Sequence, residues 1–134
     1  MILGIDPGTK RVGVAVADPE TRFVRPLEVI DAGRTDPVAR IAEIADETGA
    51  TEIVVGRPVG LSGRPGPAVD RQTELVAQLR VATGVPITEY DERLTSVVAE
   101  RAMRAGGASA GVRRAKRDAI AAQVMLQDYL DSTK

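Results

Sequence analysis

Ile2-Leu3-Gly4-Ile5-Asp6-Pro7-Gly8-Thr9-Lys10-Arg11-Val12-Gly13-Val14-Ala15-Val16-Ala17-Asp18 is the stretch on which the fold turns. Ile2 to Asp6 is a short apolar run of strand character. Val12, Val14 and Val16 alternate with Gly13, Ala15 and Ala17, and Asp18-Pro19 ends that second run. Pro7-Gly8-Thr9-Lys10 between them is turn chemistry. A third strand is expected from Arg22 to Ile30, with Pro26 making it irregular or an edge.

The period then changes. Asp36 can cap a helix with Pro37 at its first position, and Val38, Ile41, Ala42 and Ala45 form one apolar face before Gly49 stops it. Thr51 to Val55 reads as a strand, and residues 56–67 as a Gly- and Pro-rich loop. A helix over Ala68 to Thr83 turns Leu75, Val76, Leu79 and Ala82 inward and ends at Gly84. Val85 to Tyr90 is a strand. A helix from about Thr95 to Ala105 and a last one from about Arg113 to Leu130 complete the chain. A meander followed by βαβ units implies an α/β fold, a mixed sheet with helices on both faces. With no repeat and no long linker, residues 1–134 are expected to form one domain.

Composition restricts the chemistry. The chain contains no Cys and no His, which excludes thiol nucleophiles, zinc–thiolate sites and imidazole bases. Aromatic residues make up 2%, so rows of stacking rings cannot carry nucleic-acid contacts. The net charge is -1, so any positive surface is local. No run reaches the ~18 apolar residues of a membrane span, and the opening lacks the pattern of a secretory signal. No membrane partner and a cytoplasmic location are the expectation.

The candidate working groups are therefore carboxylates and cations. Asp6 ends the first strand, where open α/β sheets hold their ligands, and Gly4 and Gly8 are expected to bring backbone close to that spot. The structural alternative is an Asx-turn into Pro7. Asp91 and Glu92 follow a later strand, an awkward pair without a cation, although either could instead pair with Arg93. Asp118 lies at the margin of the stripe Ala115, Ala119, Ala122, Leu126 and Leu130, and could simply compensate the helix dipole. Arg113, Arg114, Lys116 and Arg117 oppose that dipole, which suggests phosphate binding. Lys10 and Arg11 add charge near Asp6, and Arg57 and Arg64 in the Gly-Pro loop. Hard oxygen ligands suit magnesium or manganese, and two ions about 3.5–4 Å apart can clamp a phosphodiester.

Gly4-Ile5-Asp6-Pro7-Gly8-Thr9-Lys10-Arg11-Val12-Gly13-Val14-Ala15-Val16-Ala17-Asp18 resembles the opening motif of the YqgF/RuvX family. Val55-Gly56-Arg57-Pro58, Asp91-Glu92-Arg93-Leu94-Thr95, Lys116-Arg117-Asp118-Ala119-Ile120-Ala121-Ala122 and Leu126-Gln127-Asp128-Tyr129-Leu130 resemble its later motifs in order. The resemblance implies a ribonuclease H-like fold, a five-stranded mixed sheet of order 3-2-1-4-5 with the first three strands antiparallel. It implies Asp6, Glu92 and Asp118 as catalytic and metal-binding carboxylates, with Asp91 a possible fourth. Family members are described as Holliday-junction resolvases, and alternatively as nucleases maturing the 5′ end of pre-16S rRNA. The expected function is thus a magnesium- or manganese-dependent nuclease in rRNA processing. Its partner would be structured RNA or branched DNA, bound through Lys10, Arg11, Arg57, Arg64, Arg93, Arg113, Arg114, Lys116 and Arg117. One active site suffices for RNA, whereas symmetric junction cutting needs two, so a monomer or weak homodimer is expected.

Two other readings compete. An actin- and sugar-kinase-like ATPase shares a Gly-x-Asp-x-Gly turn, but clamps nucleotide between two such domains and needs a longer chain. A non-catalytic nucleic-acid-binding module of the same fold would suit the net charge and low aromatic content.

Overall fold

The computed structural model describes residues 1–8, 10–57, 67–91 and 110–132, with side chains at all of these except 57, 67–71, 91, 110–119 and 132. Among the described residues the elements are β1 (Ile2–Pro7), β2 (Arg11–Ala17), β3 (Val24–Asp31), α1 (Pro37–Thr48), β4 (Glu52–Arg57), α2 (Pro67–Ala82), β5 (Ile87–Asp91) and α3 (Ala110–Ser132). The helix expected over residues 95–105 lies outside the described residues. The strands form one sheet in the order β3-β2-β1-β4-β5. β1–β2 and β2–β3 pair antiparallel, β1–β4 and β4–β5 parallel.

Alternation along the strands builds two cores. Leu3 and Ile5, Val12, Val14 and Val16, and Ile53 and Val55 face one way, against Ile41, Ile44 and Ala45 of α1 and Val76 and Leu79 of α2. Ile2, Ala15, Ala17, Val24 and Val54 face the other way, against Ala122, Met125, Leu126 and Leu130 of α3. Asp36 accepts from the Val38 amide at 3.1 Å, and Gly49 closes α1 in the left-handed region at φ 68°. Pro26 does sit on an edge strand, and the β2–β3 register slips between Val14 and Ala15.

Some local expectations need correction. Ala82 is exposed, while Gln72 is buried on the inner face of α2. Gly84 takes no left-handed conformation; the Thr83 amide donates to the Leu79 carbonyl at the end of α2. β4 runs on to Arg57, and α3 starts at Ala110, three residues before the expected Arg113.

Leu126 of α3 lies on Gly4, and the end of the helix is held by Arg22, whose guanidinium donates to the Leu130 carbonyl from the turn joining β2 and β3. That turn adjoins the start of β1, since Val24, Ala17 and Ile2 are successive cross-strand partners. Arg22 itself is left-handed at φ 60°, in a turn closed by Asp18, which accepts from the Glu20 and Thr21 amides. On the opposite face Arg40 of α1 donates to both carboxylate oxygens of Glu28 on β3, at 2.8 and 2.7 Å. That bond holds the Glu28 carboxyl below its usual range.

The reason for Gly4 is therefore the approach of α3. A Cβ at position 4 would stand 2.8 Å from Leu126 Cβ, an atom that no rotamer change can move. An ordinary strand glycine gains about 0.5–1 kcal/mol on becoming alanine. Gly4→Ala is expected to have the opposite sign, a loss of about 1–3 kcal/mol in urea unfolding.

Candidate active site

Asp6 is half-buried near the C-terminal end of β1, paired with Gly13 of β2. Alternation puts it in the series of Ile2 and Gly4, the face that α3 covers. Asp118 stands on that helix eight residues, about 12 Å, before Leu126. Ala122, one turn nearer Leu126, is fully buried and lets the helix lie close.

Along β5, Ile87 packs in the α1–α2 core, and Glu89 accepts from Gln72 of α2 at 3.0 Å. Thr88 and Tyr90 form the other series, on the α3 face. Asp91 ends the strand, opposite Arg57 in the ladder. Glu92, Arg64 and Arg93 lie outside the described residues. No group of three potential metal-ligating side chains occurs among the described residues.

Basic residues reach the same edge. Arg11 lies two positions before Gly13, which makes it the diagonal neighbour of Asp6 on one face, with Cβ atoms about 7–8 Å apart. Lys10, Arg11, Asp31, Ala32 and Gly33 line a groove of about 460 Å³, space of the order a nucleotide-sized ligand takes. Arg113, Arg114, Lys116 and Arg117 occupy the first turns of α3. Arg57 ends β4.

A polar cluster absent from the sequence expectations ties α3 to β4 and β5. Glu52 Oε2 accepts from Tyr129 Oη at 2.6 Å and from Thr88 Oγ1 at 2.9 Å. Tyr90 Oη donates to Asp128 Oδ2. The two rings meet edge to face, with centroids 5.6 Å apart and planes at 81°. The available signal was rarity: these are the only tyrosines of the chain.

The family model described as RuvX, Holliday junction resolvase, matches residues 1–132. The chain belongs to this family. A relative from Chloroflexus aggregans named "Putative pre-16S rRNA nuclease" is 38% identical over 134 residues, covering 99% of this chain and 94% of the relative. A Nocardioides relative of the same name is 43% identical over 138 residues, covering 98% of this chain and 88% of its own. Among solved structures, Thermus thermophilus RuvC superposes with a TM-score of 0.56 at 18% identity, covering 98% of this chain and 96% of that one. A fowlpox virus resolvase in complex with Holliday junction DNA gives 0.56 at 10% identity, covering 98% and 97%. At such identities the likeness is one of fold. Together with the strand order it makes this RuvX-family sheet ribonuclease H-like.

Glu52 holds the Tyr129 phenol above its ordinary value, first through the hydrogen bond and then through burial. The neutral phenol is thus favoured by folding. Its contribution is complete below the unfolded value near 10 and disappears as pH rises through the higher folded value. Wild type should lose stability on that alkaline limb, and Tyr129→Phe should show a flatter limb in urea unfolding between pH 9 and 11 (about one unit either side of the unfolded value).

Proposed function

We propose that this protein is a divalent-metal-dependent nuclease that hydrolyses phosphodiester bonds at the 5′ end of pre-16S rRNA. Membership of the RuvX family and the names of its relatives support the nuclease reading and the substrate. The single observation that carries it here is the contact of Leu126 on Gly4, which seats α3 on the face of β1 that bears Asp6.

Asp6, Glu92 and Asp118 are the proposed metal ligands. Asp91, which ends β5, is a possible fourth. The donor set fits a hard cation: without His or Cys the chain offers oxygen ligands, and Asp6 stands half-buried at the strand end. Magnesium or manganese, with two ions the fuller form, would supply Lewis-acid stabilisation of charge on the phosphodiester. The protein's own residues do the rest. Lys10 and Arg11 neutralise and orient the strand in the groove beside Asp6. Arg113, Arg114, Lys116 and Arg117 receive it along α3, with Arg57, Arg64 and Arg93 as further phosphate contacts. Such a reaction needs one active site, which a monomer or a weak homodimer supplies, and its proposed place is the cytoplasm. No helix among the described residues is long and apolar enough to cross a membrane.

Cleavage of a 5′-extended small-subunit rRNA precursor with manganese, beside a four-way DNA junction, tests the proposal. RNA cleavage is expected, lost on chelation and reduced by about 10²-fold or more in Asp6→Asn and Asp118→Asn with the circular dichroism unchanged. Preferential junction cutting would favour the family's resolvase description, and wild-type rates in Asp118→Asn would dismiss the carboxylate set.

Replacing Lys10 and Arg11 together by Ala should weaken RNA binding. It should also flatten the log Kd–log salt slope by about 1.4, roughly 0.7 for each lost phosphate contact on a single strand. An unchanged slope removes the groove from the strand's path.

A further inference from the structure

We infer that Asp31, in the groove between the ends of β2 and β3, accepts a hydrogen bond from a ribose 2′-hydroxyl and so selects RNA over DNA. The inference rests on the nuclease reading above and adds to it a residue that determines which sugar the groove takes.

The ladder places Asp31 of β3 directly opposite Arg11 of β2, on the face that carries Asp6. Directly opposed residues hold their Cβ atoms about 5 Å apart. A phosphate drawn to Arg11 therefore lies beside the Asp31 carboxylate. Asp31 stands two strand spacings across and two residues along from Asp6, about 12 Å away. The sugar it meets thus belongs to a nucleotide flanking the reacting one, which makes Asp31 a specificity residue.

The carboxylate has acceptor positions to offer. Its Oδ1 accepts from the Gly33 amide at 2.9 Å, and its Oδ2 lies 3.8 Å from the Arg34 guanidinium. That ion pair is long and exposed on both sides, where solvent leaves little attraction. An ionised carboxylate has about four acceptor positions, so most remain open to a ligand. Gly33 keeps them uncovered, since a Cβ there would stand 3.3 Å from Oδ1. Lys10, Arg11 and Ala32 complete the lining.

An acid in this groove is at odds with phosphate binding unless the same strand also presents a donor. A DNA backbone presents acceptors alone: phosphate oxygens and ether oxygens of the sugar. Next to such a strand Asp31 is repelled and loses water without a replacement bond. RNA adds one donor per nucleotide beside the phosphate, the 2′-hydroxyl, which distinguishes the two nucleic acids at a protein surface. A hydroxyl given to an ionised acceptor makes one of the stronger hydrogen bonds. Asp31 therefore favours the one strand and disfavours the other from a single position.

The test uses the full chain with a chelator present, so that nothing is cleaved, and reads fluorescence anisotropy. The probes are a single-stranded RNA pentamer, its DNA counterpart, and RNA pentamers carrying one 2′-deoxy residue at each position in turn. RNA is expected to bind about fivefold or more tighter than DNA, with most of that ratio lost at one deoxy position. Asp31→Ala should bring the ratio close to one, weakening RNA and not DNA. Asp31→Asn keeps an oxygen for the Gly33 amide but removes the charge, and should at least halve the ratio. Lys10→Ala should weaken both strands and leave the ratio as it was. No preference for RNA in the unaltered chain, or an unchanged ratio in the folded Asp31 variants, overturns the inference and leaves the nuclease reading standing. Cleavage of the precursor without binding of any pentamer does the same, by removing the groove from the strand's path. A chain that neither binds a pentamer nor cleaves the precursor ends the nuclease reading and the role of Asp31 with it.

Discussion

The contact of Leu126 on Gly4 is the constraint from which the rest of the molecule follows. Gly4 lies on the central strand, and the absence of its Cβ lets a helix settle where any other residue would hold it off. Ala15 and Ala17 on β2 and Ala122 on α3 continue that close contact. Once Leu126 is seated and Arg22 holds the Leu130 carbonyl, the height of α3 is fixed over the face that also carries Asp6. In the nuclease reading that helix–sheet distance is a chemical quantity as well as a structural one.

The other face shows a different solution. α1 and α2 bury Ile41, Ile44, Val76 and Leu79 against the larger β-branched and leucine side chains of the sheet. They are held at the margins by polar bonds: Arg40 to Glu28 at one edge strand, Gln72 to Glu89 at the other. Glu89 thereby engages α2, and the alternation of β5 places Tyr90 with α3.

Much of this architecture was legible in the sequence because its signals are local. Pro26 announced an edge and an irregularity, and both are present. Asp36, Pro37 and Gly49 bound α1 through cap geometry that needs no distant partner. What stayed hidden depends on contacts made across the fold. Gly4 suggested backbone access for a ligand, whereas its missing side chain admits a helix 122 residues away in the chain. Gln72 stands four and seven residues before Val76 and Leu79, on their face, but an apolar count passes over it because its value lies in a bond to Glu89. Gly84 resembled a helix stop, yet the preceding Thr83 already ends α2.

The near-zero net charge becomes intelligible once the acids are sorted by what they do. Asp18 closes a turn, Asp36 caps α1, Glu28 is bonded to Arg40 with Glu43 and Glu47 nearby, Glu52 receives Tyr129 and Thr88, and Asp128 receives Tyr90. These carboxylates are occupied in holding the fold, largely away from the Asp6 edge. Lys10 and Arg11 line the groove at that edge, and four more cations sit in the opening turns of α3, whose first turn holds no acid. Cations there work against the helix dipole by some tenths of a kcal/mol each. In the proposed function a phosphodiester strand is their counter-charge, and the field that matters to it is the local one rather than the sum over the molecule.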